Sequence, residues 1–297
     1  MIDLTKLPPP DVLEALDYES IYAGKLTRFQ RLYPDWSAAL ESDPVVKLLE
    51  LSAYDEMMYR ARVNDAARSV MLAYANGRDL DHLSALLGTQ RLLVTPADPE
   101  ADPPVEAVSE LDDRLRYRTQ MAPEGMAAAG PRDAYRFHAL SASGRVRDAW
   151  VDRPEPGVVR VTVLSTTGEG EADAALLATV GDYLSADERR PLNDDVRVQA
   201  ASIVRFAVEA VLHVEDGPTA SVVREEAERA VWRYVRAEQD YGRTLGRSIT
   251  TSALYAALHQ PGVSRVDLLL PTATIDLDRT EAAYCTAVTV RVEQHDD

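Results

Sequence analysis

The segment from Val45 to Asn76 places the tightest limit on how this chain can fold. Ser42, Asp43 and Pro44 open it, Pro44 suits a first helical position, and nothing interrupts the run before Gly77. About thirty helical residues reach roughly 45 Å. At about 100° per residue, Val45, Val46, Leu48, Leu49, Leu51, Met57, Met58, Val63, Val70, Met71 and Leu72 scatter around most of the circumference. A surface helix carries one apolar stripe, whereas a helix apolar on several sides needs neighbours on several sides. Val45, Leu48, Leu49, Leu51, Tyr54, Met57, Met58, Val63, Val70 and Met71 are therefore the candidate interface residues, with part of their partner surface supplied by another chain. The alternative is a central helix within its own small bundle.

The rest of the first third is also helical. After Pro8, Pro9 and Pro10, Asp11 is placed to cap a helix carrying Val12, Leu13, Leu16 and Ile21, with Glu14 three residues on as in a capping box. A third helix is expected from Leu80 to Leu87, stopped by Gly88. From Val94 to Glu110 the composition changes: Pro96, Pro99, Pro103 and Pro104 stand among Asp98, Glu100, Asp102 and Glu106 without a basic residue. Prolines and like charges predict an extended linker. Beyond it, helices are expected at Leu111–Met121, Pro131–Leu140 and Ala172–Leu184, and strands at Arg145–Val151, Val158–Leu164 and Val196–Ala200. A second unit follows, with strands at Ile203–Val214, Val263–Leu270 and Ala283–Val292 and helices at Ala220–Ala237 and Thr251–His259. The fold class is α+β, an N-terminal helical module with a long helix followed by two small α+β units. The divisions are 1–93, a linker at 94–110, 111–201 and 202–297. Both units run helix, His, a small turn with Gly, then strand, at His138–Gly144 and His259–Gly262, which reads as a decayed tandem duplication.

Charge and chemistry narrow the function. The 297 residues carry 49 Asp plus Glu against 32 Lys plus Arg, a net −17, and such a surface repels a polyanion. No nucleic-acid partner is expected. No window approaches the 18 or so apolar residues of a membrane span, and MIDLTKLPPP lacks the form of a secretory signal, so no membrane partner and a cytosolic site of synthesis are expected. The lone Cys285 forms no internal disulfide and reads as a small hydrophobe in a strand.

His82, His138, His213, His259 and His295 are scattered without metal-ligand spacing. Asp79, Asp81 and His82 form the sharpest metal-like string, but an Asp directly before a helix is first a cap. Asp276 and Asp278 read as a solvated strand edge, and Asp194 and Asp195 as a turn. The run Thr167, Gly168, Glu169, Gly170, Glu171 aims two carboxylates where a phosphate cradle needs amides and a cation. No catalytic, cofactor-binding or metal site is assigned, and no enzyme activity is expected.

Particular segments do carry a resemblance. MIDLTKLPPPDVLEALDYESI and the long run ESDPVVKLLELSAYDEMMYRARVNDAARSVMLAYANGRDLDHLSALLGTQR closely resemble the N-terminal region of baseplate J-like proteins of contractile phage tails and tailocins. LRYRTQMAPEGMAAAGPRDAYRFHALSASGRVRDAWV and RRPLNDDVRV resemble the family's central signature, and ALYAALHQPGVSRVDLLLP and AAYCTAVTV its C-terminal part. The resemblance implies a structural baseplate wedge protein with no cofactor. In such proteins two copies pair with a smaller wedge protein through a helical bundle, and six wedges close into a ring around the hub. It implies as partners a second copy, the smaller wedge protein, hub or sheath-initiator proteins, neighbouring wedges and a tail fibre. It implies a place in the virion or tailocin baseplate, assembled in the host cytoplasm. A ring that transmits the trigger for sheath contraction needs two arrangements, with hinges expected at Val94–Glu110 and near Ala201. Twelve chains of charge −17 in one ring imply basic surface on their neighbours and assembly weakened by salt. A wedge protein of a type VI secretion or extracellular injection baseplate is the near alternative. A metal-dependent hydrolase on Asp79, Asp81 and His82, or a soluble adaptor, is the remote one.

Overall fold

A computed structural model describes residues 2, 4–36, 40, 42–127, 130–214, 220–237 and 244–294, in two compact units, Met1–Leu86 and Leu87–Asp297. The first unit is helical. After a short 3-10 turn at Leu4–Lys6 come α1 (Tyr18–Leu32), α2 (Pro44–Ser69) and α3 (Gly77–Ala85). The first helix begins later than its look-alike capping box suggests. Asp17, in extended conformation, caps α1 by accepting from the Glu19 N–H at 3.2 Å and from the Ser20 hydroxyl. Asp11 and Glu14 lie upstream in non-helical chain, because a buried side chain claims that backbone. Asn64 Oδ1 accepts from the Glu14 N–H at 2.9 Å, and Asn64 Nδ2 donates to the Glu14 carbonyl at 2.8 Å. Ion pairs from Arg60 to Glu14 (3.2 Å) and Lys25 to Glu56 (2.7 Å) pair rising numbers with falling ones, so α1 runs antiparallel to α2.

Helix α2 starts as expected, with Asp43 accepting from the Val45 N–H at 2.7 Å ahead of Pro44. It ends at Ser69, short of Asn76. The Ser69 hydroxyl bonds back to the Ala66 carbonyl, Val70 leaves helical geometry, and the chain winds through turns to Gly77. Gly77, at φ +53°, begins α3 instead of closing α2, a conformation that costs a residue with a Cβ. The helix is therefore 26 residues, about 39 Å.

The second unit holds two three-stranded sheets. In the first, β4 (Val158–Ser165) lies between β3 (Val146–Asp152), antiparallel, and β5 (Asp195–Ala200), parallel. A parallel neighbour needs a crossover, and α6 (Ala174–Leu184) supplies it. Helices α4 (Asp112–Gly125), α5 (Arg132–Ala142) and α6 cover this sheet, burying Tyr135, Val146, Val161, Val163, Leu176 and Leu184 in one core. In the second sheet, β6 (Ser202–Val214) lies between β7 (Val263–Leu270), antiparallel, and β8 (Glu281–Gln294), parallel. Helices α7 (Ala220–Val235) and α8 (Thr251–Leu258) close a second core around Val208, Leu212, Val231, Ile249 and Leu254.

The two sheets share an arrangement but not an order. Both α5–Gly144–β3 and α8–Gly262–β7 run helix, turn, then an edge strand antiparallel to the centre, which is the likeness visible in sequence. The central strand follows that edge strand in the first sheet and precedes the helices in the second. A simple tandem repeat would keep one order.

The expected linker is not extended. Leu93–Thr95 (β1) and Val108–Ser109 (β2) pair antiparallel, and Asp98 and Val105 exchange backbone hydrogen bonds at 2.9 Å, so residues 93–109 form an acidic hairpin arm. Backbone pairing satisfies groups that an extended proline-rich chain would leave to water. The junction at Ala201 is packed instead of open. Ala201 is buried with Leu164 and Ala282, packed against Ile203 and Leu245.

Candidate interaction surfaces

Helix α2 buries little of its apolar surface. Val46, Ala53 and Asn64 are its buried residues, and their spacings of seven and eleven place them on one line along the helix. Leu48, Leu51, Tyr54, Met58 and Val63 are exposed on the remaining circumference, with Leu51 at 58% and Tyr59 at 71%. Val45, Leu49 and Met57 are half-buried. Val70, exposed, and Met71, half-buried, lie beyond the helix end and leave its face. Fanned apolar side chains on a helix that meets its own unit along one line form a patch of the kind that marks a protein interface.

A second feature fixes the arm. Glu110, fully buried, pairs with Arg118 and accepts from the Leu92 N–H at 2.9 Å. Arg118 also donates to the Gln90 carbonyl at 3.1 Å and reaches Ser141 Oγ at 3.3 Å. Arg114 lies 3.4 Å from Glu110 and donates to the Leu140, Ser143 and Gly144 carbonyls at the end of α5. Burial pulls its pKa down to about 10, with Glu110 opposing that shift. Gly144 sits so close to the arm that a Cβ there would collide with the Leu93 carbonyl. The arm is thus clamped at its base. Nothing in the sequence spacing announces this cluster, because Arg118 and Glu110 lie on different elements.

The other singled-out residues have structural roles. Helix α3 starts at Gly77, so Asp79 sits in its first turn instead of capping it, Asp81 falls inside the helix and His82 is exposed. Among the described residues no three His, Cys, Asp or Glu side chains gather around a metal-sized space. Asp278 lies in a turn, not a strand, and accepts from the Thr280 N–H and hydroxyl at 3.0 and 3.1 Å, which holds its carboxyl below the usual range; Asp276 is exposed beside it. Asp194 accepts from the buried Tyr135 hydroxyl at 2.7 Å, while Asp195 pairs with Arg197 at 2.8 Å. Gly168 and Gly170 shape the turn after β4, and Glu169 pairs with Arg205 of β6.

The histidines differ among themselves. His138 donates to the Gly125 carbonyl (3.2 Å) at the end of the neighbouring α4, and burial lowers its pKa. His213 meets Asp267 at 2.8 Å, and His259 is the C-cap of α8. His295 lies outside the described residues. Cys285 is buried, and burial pushes its thiol up.

Three family domains match the chain in order. They are the Baseplate J-like N-terminal domain over residues 41–98, the Baseplate J-like central domain over 127–200 and the Baseplate J-like protein C-terminal domain over 206–291. Among curated proteins, Baseplate protein J of Escherichia phage P2 is 45% identical over 293 residues, covering 96% of each chain.

Proposed function

The chain belongs to the baseplate J-like family, and from that premise we propose that it is a structural wedge protein of a contractile phage tail baseplate. The exposed apolar circumference of α2 carries this reading. Leu48, Leu51, Tyr54, Met58 and Val63, with the half-buried Met57 beside them, would close a helical bundle with a second copy and a smaller wedge protein. The body would join neighbouring wedges into a ring around the hub, next to sheath-initiator and fibre proteins. Its work is structural and not catalytic, in the virion tail, with assembly in the host cytoplasm. A near full-length phage relative favours the phage tail over a secretion-system baseplate. With the arm clamped and Ala201 buried, transmission of the contraction trigger is proposed to pass through Leu86–Leu87, where one compact unit ends and the next begins.

Negative-stain imaging of purified particles labelled at the C-terminus of this chain tests the assignment. Label at the baseplate supports it; label along the sheath or at the opposite tail end refutes it. Leu51→Glu with Met58→Glu should give soluble chain that no longer co-purifies with a smaller wedge partner, and unchanged co-purification would remove α2 from the interface.

A further inference from the structure

We propose that the acidic arm of one copy docks onto an arginine-lined cavity at the arm base of a second copy. The arm is the least supported element of the second unit. From Pro96 to Ser109 every residue but Ala101 is exposed, and a lone two-stranded ribbon is marginal in water. It bears Asp98, Glu100, Asp102 and Glu106 without a basic residue between 94 and 110, and none of the four has a salt bridge among the described residues. Such a ribbon spends four carboxylates on solvent unless a basic surface receives it.

The body of the molecule carries a matching surface. A cavity of about 650 Å³ is lined by Leu111, Arg114, Arg147, Thr166 and Arg236 together with Val94 and Val108 of the arm base; its two carboxylates, Glu110 and Asp113, are already engaged by Arg118 and Arg116. Arg147, Thr166 and Arg236 also line an adjoining cavity of about 230 Å³. Neither Arg147 nor Arg236 has a salt bridge among the described residues, and the neighbouring Asp148 is already engaged by Arg136 at 2.9 Å. Burial disfavours the charged form of Arg147, the nearby Asp148 opposes that shift, and Arg236 adds to it. Two arginines lining one cavity, in a chain of net charge −17, fit an anionic occupant with small apolar side chains. The arm, with its Ala101, Pro103, Pro104 and Val105 between carboxylates, has that composition.

The occupant must come from another copy. Val94 and Val108 line the cavity and also belong to the base of the arm, whereas Glu100 and Asp102 lie beyond the Asp98–Val105 pair at the tip, more than about 13 Å along the ribbon at roughly 3.3 Å per residue. A clamped arm cannot fold back across its own ladder. Arm and cavity are different surfaces, so the contact is head to tail and closes a ring when the rotation permits. This contact is independent of what covers α2.

The test uses the purified full chain with Ala101→Cys in the arm and Thr166→Cys at the cavity, read as disulfide-linked dimers at low salt. Cross-linking is expected in the otherwise unchanged chain. It should fall about tenfold when Asp98, Glu100, Asp102 and Glu106 are all changed to Lys, or when Arg147→Glu and Arg236→Glu are combined, and recover when the two reversed chains are mixed. The milder pair Arg147→Gln and Arg236→Gln, verified as folded by its thermal melt, should weaken cross-linking as well. Absence of cross-links in the starting chain, equal cross-linking in the reversed chains, or no recovery on mixing would overturn the assignment. Loss on arm reversal alone would place the arm on another basic surface and overturn it too.

Discussion

The helical unit and the α+β body use apolar residues in opposite ways. The helical unit buries Ile21, Val46, Ala53, Ala75 and Leu80 and leaves Leu48, Leu51, Tyr54, Met58, Tyr59 and Val63 in water. The body encloses two cores, each spanning helices and a sheet, with Val161, Val163, Val180, Leu212, Leu254 and Leu258 fully buried. The body is a domain completed by its own chain; on the function proposed above, the helical unit is completed by another. On that proposal the contrast separates residues that hold the fold from residues that would hold an assembly, although both sets look equally hydrophobic in sequence.

Substitutions can break the contrast, and the largest effect is expected inside the body. Glu110→Ala would strand the buried Arg118 guanidinium, and chemical denaturation should show a loss of about 3–5 kcal/mol. Leu212→Ala, in the central strand β6, should cost about 2–5 kcal/mol through lost burial and a cavity. Within the helical unit, Asn64→Ala removes both bonds to Glu14, and about 1–3 kcal/mol should be missing from that unit's melt. Leu51→Ala in the isolated chain should change stability by less than about 0.5 kcal/mol, since its side chain is already in water. A loss of several kcal/mol there would mean that α2 is packed within its own unit and the contrast fails.

The smallest effect concerns pH. Burial lowers the pKa of His138 in the folded state, so the unfolded chain takes up its proton first as pH falls. Its contribution is full above about 6.5 and declines as pH drops from there toward the folded value. His138→Gln should flatten the stability profile in that window while preserving a donor to Gly125. An unchanged slope would assign the acid sensitivity elsewhere.

How far the sequence could be read follows the range of the interactions. The strands of the body were legible because alternation and β-branched residues mark them, and α4 to α8 because their periodicity and flanking turns are local. The start of α1 was misread because Asp11 with Glu14 and Asp17 with Ser20 both suit a helix start, and a residue fifty positions away, Asn64, decides between them. The arm was misread because proline and like charge describe an extended chain equally well; its fold depends on Glu110 meeting Arg118 and Gly144 meeting Leu93. The exposed side of α2 was visible as scattered apolar residues, but Val70 and Met71 were placed on it because the Ser69 turn leaves no periodic signal. Arg147 and Arg236 escaped notice, since only folding brings β3 and the end of α7 to one cavity.

The central claim, that another chain covers α2, is tested most directly by thiol accessibility. Cys285 is buried, so Met58→Cys supplies the fast-reacting thiol. A maleimide should label that position rapidly in the free chain and at least about tenfold more slowly in purified particles. Equal labelling in both states would leave α2 facing solvent in the assembly and contradict the account.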